Sequence, residues 1–250
     1  MSVNDIDVGV PCKILTSADD TQLYLSFKPN HCSDEAIARI ESCVHEIREW
    51  MSENFLKLND DKTEFILIGS RQQLSKVNVP HVIIGDSTIT PSAKIRNLGA
   101  ILDSIMSSSA QVSNIVRTGS YQIRNIGRIR KYLNQNATEQ IVHSFVTSRL
   151  DMCNSLLIGL PQDQLTRLQR LQNTSARLIK LIKKRAHITP VLKELHWLPV
   201  GARIKYKILI TVFKALNDLA PDYIAQFLQF HNPQRSLRSA DKSILTEPLT

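Results

Sequence analysis

The feature that most restricts the fold is a pair of adjacent carboxylates, Asp19 and Asp20, set between two apolar segments. Ile14 and Leu15 precede them. Beyond them, Leu23, Leu25 and Phe27 alternate with Gln22, Tyr24 and Ser26, which is the period of a half-buried strand. Neighbouring side chains of a regular strand point to opposite faces. Two adjacent acids can therefore approach one point only where the backbone turns, so the stretch reads as a hairpin. At its tip the two like charges favour a bound cation, and hard carboxylate oxygens suit Mg2+. As a dipeptide alone, Asp-Asp reads first as a solvated surface turn; the residues around it, Ala18 before and Thr21-Gln22 with the apolar strand after, favour the metal-holding reading.

Residues 33–56 read as a helix. Ser33 is placed to cap it, and Asp34 and Glu35 fall in the first turn, where the helix dipole favours acids. Ile37, Ile40, Val44, Ile47, Met51 and Phe55 recur at three- and four-residue steps as a core-facing stripe, with Trp50 at its edge. A polar turn around Lys62 then leads to a short apolar run, Phe65 to Ile68, expected to be a buried strand. Val82–Ile84 reads as a further strand and turn. Ile95–Leu102 reads as another strand, in which Gly99 marks a bulge or a close backbone approach.

From Ser104 the chain becomes helical and basic. Residues 1–100 hold ten Lys and Arg against fourteen Asp and Glu (net −4), and residues 101–250 hold 21 against nine (net +12). A helix over 108–133 carries Val112, Ile115, Val116, Ile123, Ile126 and Leu133, flanked by Arg117, Arg124, Arg128, Arg130 and Lys131. Asn136 and Glu139 suggest a capping box opening the next helix, which runs through Phe145 and Leu150. A helix over 163–184, capped by Asp163, turns Leu165, Leu168, Leu171, Leu178 and Ile182 inward. Arg167, Arg170, Arg177, Lys180 and Lys184 step along a neighbouring face. A basic ridge beside an apolar stripe suits contact with phosphates, and Arg117, Arg124, Arg128, Arg130 and Lys131 are assigned to that contact together with the 163–184 ridge. The competing reading is a solvated face whose long basic stems shield apolar neighbours. Helices near 189–199, 201–218 and 221–227 follow, then a polar end.

No segment reaches the roughly 18 apolar residues of a membrane span, and the opening residues lack the pattern of a signal peptide. Cys12, Cys32, Cys43 and Cys153 are scattered without metal-ligand spacing and read as free thiols in a reducing compartment. The expectation is an intracellular protein, of cytoplasm or nucleus, with no membrane partner.

The string Ala18-Asp19-Asp20-Thr21-Gln22-Leu23-Tyr24 resembles the catalytic turn of reverse transcriptases of non-LTR (LINE, Jockey-type) retrotransposons, although Ser17 stands where an aromatic residue is usual. Leu58-Asn59-Asp60-Asp61-Lys62-Thr63-Glu64 is similar to the string that follows the next helix in that family. The segments 148–157, 168–173 and 195–200 resemble its later region. What the resemblance implies is an RNA-directed DNA polymerase working by two-metal nucleotidyl transfer. Asp19 and Asp20 would ligate Mg2+, and Lys62 would neutralise the departing pyrophosphate. Leu98 and Gly99 would form the primer grip. RNA template and DNA primer would be the partners.

The implied fold is α+β, an incomplete polymerase palm of antiparallel strands with a long helix, followed by a mostly α-helical thumb-like and C-terminal region. The corresponding segments are 1–104, 105–188 and 189–250. The family's palm also needs a carboxylate on an earlier strand and a fingers region, which the residues before Ser17 do not supply. The chain is therefore expected to be inactive alone unless an upstream polymerase segment is supplied elsewhere. Two alternatives stay open: a non-enzymatic nucleic-acid-binding remnant of a retroelement, and a structural or assembly protein.

Overall fold

The computed structural model describes residues 13–17, 20–28, 33–85, 87–230 and 245–246. The fold is α+β and divides into two compact units, Met1–Gln111 and Val112–Thr250.

The first unit holds three antiparallel hairpins among its described residues, each a separate two-stranded sheet. They are β1 (Lys13–Ser17) with β2 (Asp20–Tyr24), β3 (Val82–Ile84) with β4 (Ser87–Ile89), and β5 (Lys94–Asn97) with β6 (Ala100–Asp103). Between the first and second lie the long helix α1 (Ser33–Glu53) and the short α2 (Arg71–Leu74). The expected stripe of α1 forms: Val44 and Ile47 are buried, and Ile37 and Ile40 pack with Val82, Ile84, Leu23 and Phe65 into a small core. The stripe stops short of Phe55. The helix ends at Glu53, and Phe55 takes a left-handed φ of 59° with its ring 99% exposed.

Two strand expectations change. Phe65–Ile68 forms no strand. Its neighbourhood makes isolated backbone bonds, Ser92 N to Phe65 O and Gly69 N to Ser104 O, rather than a ladder. Ile95–Leu102 is not one strand but the β5–β6 hairpin, folded at Leu98 and Gly99 with Asn97 opposite Ala100. Their φ values, 44° and 85°, are both positive, as a two-residue hairpin turn of type I′ requires. Gly99 adopts this freely, while Leu98 does so at a cost of about 1–2 kcal/mol.

The second unit is helical. Its elements are α3 (Ser109–Ile129, the unit boundary falling in its first turn), α4 (Gln135–Val142), α5 (Ser148–Asp151), α6 (Gln162–Lys180), α7 (Thr189–Glu194), α8 (Val200–Leu216) and α9 (Asp222–Ala225). One core runs through it, from Val112 and Ile115 of α3, through Leu168 and Ile179 of α6, to Trp197 and Ile204. Residues of the segments 105–188 and 189–250 both contribute to this core. A fully buried Leu or Ile of this kind contributes about 1.5–3 kcal/mol.

Several local expectations shift. The cap of α4 is Asn134, whose side chain accepts from Ala137 N, two residues before the expected position. A turn of π-helix, His143–Thr147, joins α4 to α5. Val142, Val146 and Leu150 stay buried, while Phe145 is turned outward. Pro161, not Asp163, occupies the cap of α6, with Asp163 inside the first turn. The helix stops at Lys180 because Leu181 adopts a left-handed φ of 53°. Among the described residues no helix is long and apolar enough to cross a membrane.

Candidate nucleic-acid interface

The first unit brings together two of the elements singled out from the sequence. In the β1–β2 hairpin Ser17 pairs with Asp20, so Asp20 is the first residue of β2, with its side chain exposed. Asp19 lies outside the described residues. Strand alternation puts Asp20, Gln22 and Tyr24 on one face, and Thr21 and Leu23 on the other, with Leu23 against the small core. Gln22 meets Asn97, the last residue of β5, through two hydrogen bonds. Gln22 Nε2 donates to Asn97 Oδ1 at 2.8 Å, and Asn97 Nδ2 donates to Gln22 Oε1 at 3.0 Å. The Asp20 hairpin and the Leu98–Gly99 hairpin are therefore neighbours. Sequence reasoning placed Gln22 only on a polar face and gave Asn97 no role, because pairing of two amides 75 residues apart leaves no local signal.

Lys62 is exposed at the end of a 3-10 turn, Asp60–Lys62. The turn is tied to α1 by a half-buried ion pair, Arg48 Nη2 to Asp60 Oδ1 at 2.6 Å. Lys62 makes no hydrogen bond or ion pair with Asp20. Among the described residues no three His, Cys, Asp or Glu side chains gather as a metal donor set. Asp20 offers one exposed carboxylate, which matches the one or two that Mg2+ commonly takes alongside phosphate oxygens.

In the second unit α3 and α6 touch through Gly119 and Leu171 and through Ser113 and Arg167, and an open groove of about 400 Å³ lies between them. Its floor is apolar, made by Val116, Ile123 and Leu171, and its rim carries Arg124, Arg167 and Arg170 with the hydroxyls of Ser120 and Thr174. The spacing produces this convergence: Ser120 and Arg124 are one turn apart on α3, and Arg167, Arg170 and Thr174 step along α6 at three- and four-residue intervals. The two hydroxyls were missed from sequence, although that same helical spacing from the arginines could have found them. Arg167 is held in place by Gln164 Oε1 at 2.8 Å and Ser113 Oγ at 3.2 Å. Arg124 and Arg170 are exposed and make no ion pair among the described residues. Guanidinium forks of this kind match phosphate oxygens in pairs.

The remaining basic candidates divide. Arg117, Arg128 and Lys131 are exposed, Lys131 with its Nζ 4.8 Å from the centroid of the Tyr132 ring. Lys184 is exposed beyond the end of α6. Lys180 is committed to Glu194 at 2.5 Å, and Arg177 reaches Ala186 O at 3.3 Å. Arg130 is withdrawn from the phosphate-contacting set, because it is buried. Its Nε donates to Leu178 O at 3.0 Å, Nη2 to Ile179 O at 2.8 Å and Nη1 to Leu133 O at 2.7 Å. Leu178 O and Ile179 O are orphan carbonyls at the end of α6, so Arg130 acts as a cap delivered from the end of α3.

Compared with known proteins, the chain matches no family model, no curated protein and no solved structure.

Proposed function

We propose that the chain is part of an RNA-directed DNA polymerase of the non-LTR retrotransposon type, and that its helical unit grips the sugar–phosphate backbone of a template–primer. The observation that carries the gripping role is the α3–α6 groove, where Arg124, Arg167 and Arg170 converge over an apolar floor. Three guanidinium groups side by side raise the local positive potential and so favour phosphate there. The polymerase assignment is supported by the Asp20 hairpin lying beside the Leu98–Gly99 hairpin, the elements that the resemblance assigns to catalysis and primer grip. In this reading RNA template and DNA primer are the partners, met in cytoplasm or nucleus. The palm and thumb-like labels belong to the first and second units. Asp19 and Asp20 would hold Mg2+, which neutralises phosphate charge when bound, and Lys62 is the cation that the resemblance assigns to the leaving group.

The test is binding of an RNA–DNA template–primer across a salt series, followed by primer extension. Six exposed or half-exposed cations (Arg117, Arg124, Arg128, Lys131, Arg167 and Arg170) predict a log–log slope of about −5. A flat slope overturns the gripping role. Extension by the native chain but not by Asp19→Asn supports the enzyme. A steep slope with no extension by either leaves the alternative, a nucleic-acid-binding protein without catalysis.

A further inference from the structure

We infer that Gln22 and Asn97 are positioning residues that hold the Asp20 hairpin and the Leu98–Gly99 hairpin as one platform for the primer terminus, an inference that rests on the template–primer reading above. The two amides each give one donor and one acceptor to the other, at 2.8 and 3.0 Å. A reciprocal pair fixes the orientation of both side chains as well as their separation. Nothing else of this kind ties the hairpins among the described residues, since β1–β2 and β5–β6 are separate two-stranded sheets with no shared ladder. An isolated two-stranded hairpin is marginal on its own, so the relative placement of the two hairpins depends on such a link.

The location of the link is what points to function. Gln22 lies on the same face of β2 as Asp20, about 7 Å along the strand. Asn97 is the residue immediately before the Leu98–Gly99 turn. The amides thus join the hairpins at their turn ends, next to the acid on one and the turn on the other. Both residues are half-buried, so truncating either leaves the other amide short of a partner in a site only partly open to water.

The test uses the full chain and a template–primer whose primer ends in photoreactive thiothymidine. For the native chain, crosslinks are expected on the peptides containing residues 20–22 and 97–99. In Gln22→Ala and in Asn97→Ala, the yield at those peptides should fall about tenfold, while Kd moves by less than about twofold because the helical-unit arginines carry affinity. The double variant Gln22→Asn with Asn97→Gln keeps the combined side-chain length and both bonds, and should restore the crosslink. Melting temperatures for every variant keep misfolding from passing as mispositioning. Singles that lose stability without moving the crosslink, a double variant that does not rescue, or native crosslinks that avoid both hairpins each overturn this inference alone. A native chain that does not bind the template–primer overturns the underlying reading along with it.

Discussion

Gly119 lies so close to Leu171 that a Cβ at that position would stand 2.7 Å from Leu171 Cδ2 and 3.1 Å from Cδ1. A helix-weakening residue in the middle of α3 is thus where Leu171 of α6 comes against it, and Leu171, itself buried, has little room to withdraw. Gly119→Ala is expected to destabilise the protein by about 1–3 kcal/mol through overpacking, despite its better helix propensity. Gly127 is the contrast. Its nearest neighbour for an added Cβ is Leu178 Cδ1 at 3.9 Å, an ordinary contact. Gly127→Ala should therefore stabilise α3 by up to about 1 kcal/mol. Thermal unfolding of the two variants, side by side, reads opposite signs if the contact is as described.

Arg130 makes three hydrogen bonds to carbonyl oxygens from a buried position. Lysine keeps the charge but lacks the planar fork that reaches two directions at once. Arg130→Lys is expected to cost about 2–3 kcal/mol, since at least one of the carbonyls at the end of α6 loses its donor. The salt dependence of nucleic-acid binding should be unchanged, because this guanidinium is spent on carbonyl oxygens. A variant that folds with native stability but loses nucleic-acid affinity would reverse the assignment and return Arg130 to the phosphate-contacting set.

The groove arginines predict the reverse pattern. Arg124 and Arg170 are exposed, so Arg124→Gln and Arg170→Gln should each change stability by less than about 0.5 kcal/mol. Each should lower the magnitude of the salt slope by about one. Arg167 is braced by Gln164 and Ser113, and its replacement should reduce the slope by a similar amount with a small added loss of stability. Binding isotherms at four or five salt concentrations for each single variant and the triple variant check both the size of the effect and its additivity.

The contrast between Arg130 and Arg124 shows where sequence reading stops. Both sit among apolar residues on the same amphipathic stretch, and their composition signal is identical. What separates them is that the end of α3 meets the end of α6, a fact of tertiary packing. Long stripes were legible for the opposite reason. The 3.6-residue period of α1, α3 and α6 is imposed by burying one face, so the buried residues announce themselves along the chain. Short elements lacked that redundancy. Four apolar residues from Phe65 to Ile68 looked like a strand, but a strand needs a ladder, and here only isolated backbone bonds form. The turn at Leu98 hid behind a residue that seldom takes a positive φ. Asp20 was legible as the edge of a hairpin turn, whereas the amide pair that places that hairpin beside its neighbour was not.

Gly85 and Arg48 offer a test of how the Lys62 turn is held. Gly85 has a φ of 60°, and a Cβ there would lie 2.6 Å from Arg48 Cζ. The same guanidinium bonds to Asp60 at 2.6 Å, anchoring the turn that ends in Lys62. Gly85→Ala therefore carries two costs. One is a left-handed backbone for a residue with a side chain, about 1–2 kcal/mol. The other is a steric push on Arg48 away from Asp60. Amide exchange at Lys62 and Thr63, which donate to Asn59 O and Asp60 O, should accelerate in Gly85→Ala if the push reaches the turn. A double-mutant cycle separates the two costs. In an Arg48→Met background the backbone cost remains while the push on the ion pair is gone. The penalty of Gly85→Ala should then be smaller by about 1 kcal/mol, with no further change in exchange at Lys62. An equal penalty in both backgrounds would mean that Arg48 moves aside freely, and that the Lys62 turn is held by its own backbone bonds.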